Sequence, residues 1–423
     1  MSSSTSSSRK VFGRIFLAIV LGMAVAMAII RLITFLNDIS GDTILGRVLE
    51  ARAALPRIVA EDKPLVMVFG SSMTQAGFSA RQFDRELSQR GIDIKSFNFG
   101  FGGLNPYFQD FLSRRIREAF EQEERRLELA LIEFVPFQLT KARWEGAQPV
   151  IDSFVGMLAS PREMWQITLE DPARGALMFN IRYLRDDISA EMTTWHLGRP
   201  LQPERPRSNV PADEEASERL SELGDQLNQV FEVDYPDYGG EQWHYPWQGA
   251  GTIPEERKPS TLEIFEQYYE ALRTPRRMEN DKLNRIQCCD IEELHFEQEL
   301  VDGFVRMVEN FQRVANHVEV ILLPRNTDWI HYSPEARARL DAVLETIRRE
   351  TGVTIRDYQE LPAFDAELFS DTTHLSRYAG DVAFTSLLVD EYAPLLARSL
   401  GVTAPAGGEL ETGDESDSPE GEQ

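Results

Sequence analysis

The sequence predicts an α/β fold with a mostly parallel, five-stranded sheet covered by helices on both faces. Short apolar runs of strand length alternate with longer amphipathic stretches over residues 63–144. The same alternation resumes over residues 298–400, after a long stretch without it. Strands that alternate with helices along a chain usually form a parallel sheet, because each helix carries the chain back to the edge where the previous strand began.

The first half of this domain, residues 63–144, contains three predicted strands. Each is a short apolar run bounded by turn residues, and Gly91 ends the first amphipathic helix. The predicted elements are strand Leu65–Phe69, helix Phe78–Arg90, strand Ile92–Phe97, a glycine-rich turn over Asn98–Gly103, helix Pro106–Arg126 and strand Leu129–Phe134.

The second half, residues 298–400, adds two strands and three helices. Ser333 and Pro334 start one helix, with serine as the N-cap and proline at the first helical position. The predicted elements are helix Glu299–Asn316, strand Val318–Leu323, the helix that starts at Ser333, strand Val353–Ile355 and a final helix Arg377–Leu400.

Two further segments lie inside and after this domain. Residues 145–297 are rich in Pro, Trp and acidic residues without strand alternation, which predicts a helical or irregular insertion that could form a lid. Its polar middle, Gly198–Asp225, is predicted to be partly disordered. Residues 401–423 are predicted to be an acidic, disordered tail, because Glu409–Glu422 carries seven acids and no base.

The N-terminal 36 residues predict a cytoplasmic tail and a single transmembrane anchor at residues 15–36. Ile15–Ile30 carries no charge, and the apolar character resumes after Arg31, so the stretch reaches the roughly 20 residues that a spanning helix needs. Basic residues precede it and stay cytoplasmic, which places the large domain in the periplasm. The connecting segment 37–62 reads as a helix over Asp38–Asp62.

A cleaved signal peptide is the alternative to the anchor. Ala24-Val25-Ala26 and Ala26-Met27-Ala28 resemble signal-peptidase sites. Both lie inside the apolar run rather than after it, which favours an uncleaved anchor.

Composition argues against several classes of function. The net charge of −25 argues against nucleic-acid binding, which needs clustered Lys and Arg to neutralise phosphates. The adjacent pair Cys288 and Cys289 cannot form a disulfide framework; we expect two buried thiols, with a redox role as the alternative. The six histidines show no ligand-type spacing, so neither a metal nor another cofactor is predicted.

Two short motifs carry the predicted chemistry. Gly70-Ser71-Ser72-Met73 follows the first strand, and Asp371-Thr372-Thr373-His374 precedes the last helix. Ser72 is a candidate nucleophile, His374 its base and Asp371 the group that orients the histidine. Backbone N–H groups of the glycine-rich turn after the second strand could stabilise an oxyanion at the same sheet edge. Alternatively, Ser72 is a turn residue that caps the next helix.

The order of these motifs resembles the SGNH (GDSL-like) hydrolases over residues 63–145 and 298–400. The resemblance implies a flavodoxin-like three-layer α/β/α sandwich in which Ser72 takes the place of the family's nucleophile and Asp371 and His374 match its terminal Asp-x-x-His. It places the oxyanion glycine at Gly103, with Gly102 as the near alternative.

One block departs from the family. The family has Gly-x-Asn-Asp after its third strand, and the Asn donates to the oxyanion. Here the strand continues as Glu133–Gln138 without an Asn. Gln138 or Asn105 are the candidate replacements. Arg325, which follows the fourth strand, is a candidate substrate contact, and packing within its own loop is an equal alternative.

The anchored architecture is similar to cell-envelope members of the family, such as alginate O-acetylation proteins and the D-alanine transfer protein of teichoic acids. Those members act with a multispanning membrane-bound O-acyltransferase. The resemblance therefore implies an esterase or O-acyltransferase that acts on envelope glycans or another acyl-ester substrate. The alternative is a non-catalytic scaffold or binding protein of an envelope acylation complex.

Overall fold

The computed structural model describes residues 5–36, 44–148, 151–184, 214–234 and 258–402. Its sheet has five strands in the order β2-β1-β3-β4-β5, and every neighbouring pair is parallel. The strands are β1 (Leu65–Gly70), β2 (Lys95–Gly100), β3 (Leu127–Glu133), β4 (Ala315–Leu322) and β5 (Thr354–Asp357). The predicted α/β class is confirmed, and the sheet is parallel throughout rather than mostly parallel.

The apolar runs become strands because both faces of the central sheet are buried. All six residues of β1 are buried, and in β3 residues 129–132 have no exposed surface. Strands buried on both faces read as continuous apolar runs rather than as an alternation. At the sheet edge, β5 is only half buried.

The predicted bounds of the second strand are wrong. The strand runs over Lys95–Gly100 instead of Ile92–Phe97, because its pairing with β1 continues as far as Gly70 opposite Gly100. The first half of the predicted glycine-rich turn therefore belongs to the strand, and only residues 101–103 form the turn.

Outside the insertion, the described residues form eight α-helices. Helix Pro106–Gln122 packs against Gln298–Val314, and Ala80–Gln89 packs against Gly380–Leu400. These helices are α1 (Thr5–Leu36), α2 (Ile44–Val59), α3 (Ser72–Gly77), α4 (Ala80–Gln89), α5 (Pro106–Gln122), α13 (Gln298–Val314), α14 (Pro334–Thr351) and α15 (Gly380–Leu400). The predicted apolar face of α13 is confirmed, since Phe304, Val308 and Phe311 are buried along it.

The described part of the insertion is helical. After a short 3-10 helix, Pro136–Leu139, the helices are α6 (Lys141–Ala147), α7 (Ile151–Leu158), α8 (Pro161–Glu170), α9 (Pro172–Leu184), α10 (Glu214–Asp234), α11 (Pro259–Leu272) and α12 (Pro275–Cys289). The expected disorder over Gly198–Asp225 is wrong from residue 214 onward, because Leu223, Leu227 and Val230 form an apolar stripe on α10. This stripe packs on α11, where Leu227 meets Phe265 and Tyr269 in a small core. Residues 198–213 lie outside the described residues.

The N-terminal helix α1 and the connecting helix α2 precede the sheet. Within the part of the chain that the structure describes, no helix is long and apolar enough to cross a membrane. Arg47 on α2 is buried, and it donates to the carbonyl oxygens of Gly100 at 2.6 Å and Asn98 at 3.1 Å. Helix α2 is therefore attached to the end of β2. The acidic tail from residue 403 onward lies outside the described residues.

The two cysteines are not the pair of buried thiols that the sequence predicts. Cys288 and Cys289 are joined by a disulfide at the end of α12, with their Cα atoms 3.8 Å apart. Cys289 is buried, whereas Cys288 is exposed. Consecutive residues of a helix project about 100° apart, so one of the two faces solvent when the other faces the core.

Candidate active site

Ser72 lies at the carboxyl edge of the parallel sheet, where it begins helix α3 directly after β1. Open α/β sheets place ligands at this edge. The N-cap of α3 is Ser71, whose hydroxyl oxygen accepts from the Met73 N–H at 3.1 Å. The capping role that the sequence allowed for Ser72 therefore belongs to its neighbour, and the Ser72 hydroxyl stays available for other contacts.

Ser72, His374 and Asp371 form one hydrogen-bonded chain. His374 Nε2 lies 2.7 Å from Ser72 Oγ, and His374 Nδ1 lies 2.7 Å from Asp371 Oδ2. A serine bonded to one ring nitrogen and a carboxylate bonded to the other is the arrangement in which histidine removes the serine proton. The structure thus brings together all three predicted catalytic side chains.

Backbone N–H groups of the loop before α15 also bind the Asp371 carboxylate. Its other oxygen, Oδ1, accepts from the N–H groups of Thr373 at 2.7 Å and His374 at 2.8 Å. Burial of this carboxyl acts to raise its pKa, but the charges of His374 and Arg285 and the hydrogen bonds outweigh burial and hold the pKa well below its usual range. Asp371 is therefore an anion at neutral pH.

A buried carboxyl lies beneath the serine. Glu133, the last residue of β3, accepts with Oε2 from the Ser71 N–H at 2.5 Å and from the Thr74 hydroxyl at 2.8 Å. No described group bonds to its other oxygen, Oε1. Burial raises the pKa of the Glu133 carboxyl, and the hydrogen bonds from Ser71 and Thr74 offset part of that rise.

Two glycines allow the close approach of strand ends to this turn. A Cβ at Gly70 would lie 2.1 Å from Glu133 Oε2, and a Cβ at Gly100 would lie 2.3 Å from the Gln75 backbone nitrogen. Both positions need glycine for space, because β1 and β2 end side by side at the start of α3.

The glycine turn after β2 lies beside the serine. A Cβ built on Gly102 would lie 3.5 Å from Ser72 Cβ, and Gly103 has a positive φ of 75°. Arg143 ties this turn to Gln138: its Nη2 donates to the Gly103 carbonyl at 2.9 Å and its Nε donates to Gln138 Oε1 at 3.0 Å. Because arginine only donates, Gln138 must turn its amide oxygen to Arg143 and its N–H₂ away.

Two other candidate residues are committed to local structure. Asn105 is buried and serves as N-cap of α5, where its Oδ1 accepts from the Tyr107 N–H at 3.2 Å. Arg325 stacks its guanidinium 4.3 Å from the Tyr332 ring centre and pairs with Glu360 at 2.6 Å. The structure therefore favours the loop-packing alternative for Arg325. Of the two candidate amides, Gln138 is the one that Arg143 joins to the glycine turn.

Residues outside the two predicted motifs also surround the triad. Asn326 donates from Nδ2 to the Asp371 carbonyl at 3.3 Å, and Arg285 on α12 lies 3.4 Å from Asp371 Oδ2. Neither belongs to a motif. Glu133 carried the one visible signal, a carboxyl within the apolar run Leu129–Phe134.

Comparisons with known proteins add no family assignment. No known family model matches the chain, and no curated protein matches it significantly. Among the described residues, no group of three or more His, Cys, Asp and Glu side chains is placed to hold a metal ion. The functional argument therefore depends on the geometry of the triad and its surroundings.

Proposed function

We propose that this protein is a serine acyl-transfer enzyme of the SGNH type, built on a flavodoxin-like three-layer α/β/α sandwich. The observation that carries the proposal is the continuous chain from Ser72 Oγ through His374 to Asp371, with 2.7 Å at each of its two links. The strand order 2-1-3-4-5, with the serine at the carboxyl edge, supports the same fold.

The reaction follows from the positions of these atoms. His374 Nε2 takes the proton of Ser72 as Oγ attacks the acyl carbonyl, and the carbonyl electron pair moves onto the oxygen. Collapse of this tetrahedral intermediate expels the alcohol, which takes the proton from His374. The acyl group stays on Ser72 until water or a second hydroxyl attacks it and gives its proton to His374; the acyl–Oγ bond then breaks, and His374 returns the proton to Ser72 Oγ. Asp371 stabilises the imidazolium that forms during acylation and again during deacylation.

The oxyanion that develops at the carbonyl oxygen needs N–H donors directed at it. We propose the backbone N–H of Gly103, or of Gly102, and the side-chain N–H₂ of Gln138 for this role. Gln138 then takes the place of the missing Asn, since Arg143 holds the glycine turn and Gln138 oxygen together.

We propose that residues 15–36 anchor the enzyme in the cytoplasmic membrane, with the catalytic domain in the periplasm. The proposal depends on the sequence, because no helix among the described residues is long and apolar enough to cross a membrane. The support is the uncharged run Ile15–Ile30, the basic residues before it, and the exposure of apolar side chains such as Phe12 and Phe16 on α1. A multispanning O-acyltransferase as acyl donor and an envelope glycan as acceptor fit this placement. Resistance of the full chain to carbonate extraction from membranes, lost on deletion of residues 1–36, tests the anchor.

The decisive experiment for the chemistry is an acyl-enzyme assay. The full chain in detergent is mixed with 4-nitrophenyl acetate, and its intact mass is recorded beside Ser72→Ala and the matched Ser71→Ala. We expect an acetyl-sized adduct on the parent and on Ser71→Ala, and none on Ser72→Ala. Absence of adduct and of turnover in all three proteins would favour the alternative function, a non-catalytic scaffold.

A further inference from the structure

The insertion reaches the active site through its last helix, α12. Asp281 and Arg285 lie one turn apart on this helix, with Arg285 Nε 2.8 Å from Asp281 Oδ2. Asp281 accepts from the Thr372 N–H at 3.2 Å and from the Thr372 hydroxyl, while Arg285 Nη2 lies 3.4 Å from Asp371 Oδ2. Both side chains therefore contact the loop that carries the acid and the base of the triad.

Arg285 and His374 share a single carboxylate oxygen. Asp371 Oδ2 lies 2.7 Å from His374 Nδ1 and 3.4 Å from Arg285 Nη2. The Arg285 side chain is only 16% exposed, so water screens this contact weakly. Burial acts to lower the pKa of Arg285, but the carboxylates of Asp371 and Asp281 outweigh burial and raise it. The guanidinium is thus a permanent cation beside the triad.

Helix α12 is fixed to the rest of the domain at its C-terminal end. The Thr140 hydroxyl, which follows the 3-10 helix after β3, donates to the Cys289 carbonyl at 2.9 Å. Lys282 forms a salt bridge of 2.9 Å with Glu292, which lies in the turn that follows α12. An arginine held on a packed helix can fix the position of its partner, whereas one on a loose lid cannot.

We propose that Arg285 is a positioning residue of the triad, which holds the Asp371 carboxylate ionised and directed at His374. The inference rests on the proposed acyl-transfer function and deepens it, since the insertion then completes the active site instead of only covering it. Arg285 acts through Asp371 and touches neither substrate nor the serine.

Arg285 supplies a positive charge that faces the Asp371–His374 pair. The charged groups that contact this pair in the described residues are Arg285 and, behind it, Asp281. The other contacts, from Ser72, Thr373 and Asn326, are uncharged. Removal of the guanidinium leaves the Asp371 carboxylate without this charge, which should change the pH dependence of a reaction that uses the pair.

The test compares Arg285→Gln with Arg285→Lys and with the control Arg277→Gln in the full chain. Arg277 lies on the same helix, and its guanidinium contacts Ser217 at 3.4 Å instead of the triad. The measurements are the pH profile of kcat/KM for 4-nitrophenyl acetate, kcat and KM separately, and the NMR titration midpoint of the His374 ring. Thermal unfolding reports whether each variant folds, and Arg285→Lys keeps the charge if the glutamine variant unfolds.

For Arg285→Gln we expect kcat to fall about 10- to 100-fold with KM nearly unchanged, because Asp371 no longer holds the His374 ring in position for Ser72. The acid limb of the profile and the His374 titration midpoint should both differ from those of the parent, and Arg285→Lys should restore most of the difference. A profile, midpoint and kcat equal to those of Arg277→Gln would overturn the positioning role. Failure of the parent itself to form a Ser72-dependent adduct would instead overturn the proposed function, and the inference with it.

Discussion

The two sides of the triad are held in different ways. On the serine side, Ser72 begins a helix that packs closely against the ends of the strands. Glu133 accepts a hydrogen bond from the preceding N–H group, and Gly70 and Gly100 leave no space for a Cβ. On the acid–base side, Asp371 and His374 lie in a loop that Asn326 and the α12 side chains hold by hydrogen bonds and charge. The serine side is thus defined by backbone packing, and the acid–base side by electrostatics. Substitutions on the two sides should fail in different ways.

The largest effect is expected on the acid–base side. Asp371→Asn keeps the shape of the side chain but offers His374 no carboxylate, so the ring takes the wrong tautomer and kcat falls by about 10⁴-fold. Initial rates on 4-nitrophenyl acetate give this value, with urea unfolding as the check on the fold. A loss below about 10-fold would mean that Asp371 does not orient the base.

On the serine side, Gly70→Ala should chiefly cost stability. The added methyl would lie 2.1 Å from Glu133 Oε2 and 2.6 Å from Glu133 Cβ, so β1 and β3 must shift, at a cost of about 2–3 kcal/mol. The free energy of unfolding in urea measures it. Gly146→Ala on α6 is the control, because its Cβ would meet no atom within 4 Å. Equal stability of the two variants would contradict the account of the serine turn.

Gln138→Glu tests the proposed oxyanion donor. The substitution keeps an oxygen that can accept from Arg143 and removes the N–H₂ group, so it leaves the Arg143 contact in place. We expect kcat to fall about 100-fold, as for loss of one oxyanion donor, with KM little changed. Asn105→Ala, which removes a helix cap, is the contrasting variant and should reduce stability instead. An unchanged kcat for Gln138→Glu would exclude this residue as the replacement for the missing Asn.

The carboxyls of Glu133 and Asp371 should give opposite responses to pH. The pKa of Glu133 is raised, so the folded protein keeps a proton that the unfolded chain releases near pH 4.5, and this group lowers stability as pH rises above that value. The pKa of Asp371 is lowered, so its contribution is present above pH 3.8 and is lost as pH falls towards the folded value.

Glu133→Gln tests whether Glu133 lowers the stability of the fold as pH rises. Between pH 4.5 and 7 the parent should lose more stability than Glu133→Gln, measured by urea unfolding at each pH. Glu123→Gln, at an exposed position, should follow the parent. Parallel curves for the parent and Glu133→Gln would show that Glu133 ionises as readily in the folded state as in the unfolded chain.

Local patterns were enough to predict the fold class and the positions of the triad residues. The apolar run of β1 predicts a buried strand, and the residues that end it fall at the carboxyl edge of a parallel sheet, so Ser72 was visible from the sequence. The motif Asp371–His374 was visible because both residues lie within one short loop. The exact end of β2 was not, because it depends on register with β1.

The contacts of the residues that support the triad could not be predicted from the sequence, for a different reason. Arg285 meets Asp371 across 86 positions (371 − 285), and Arg143 reaches Gly103 across 40. Such contacts depend on how the insertion packs against the sheet, which no local periodicity encodes. The disulfide between Cys288 and Cys289 was missed because adjacent cysteines carry no spacing signal beyond their adjacency.

Ser72 and His374 lie 302 residues apart in the sequence. During synthesis the nucleophile therefore leaves the ribosome about 300 residues before its base and Asp371. A growing or prematurely terminated chain that lacks residue 374 therefore carries a serine with no means of activation. Any acylating activity would begin only once the whole domain has been translated, and premature stop codons anywhere before this loop should be fully inactivating.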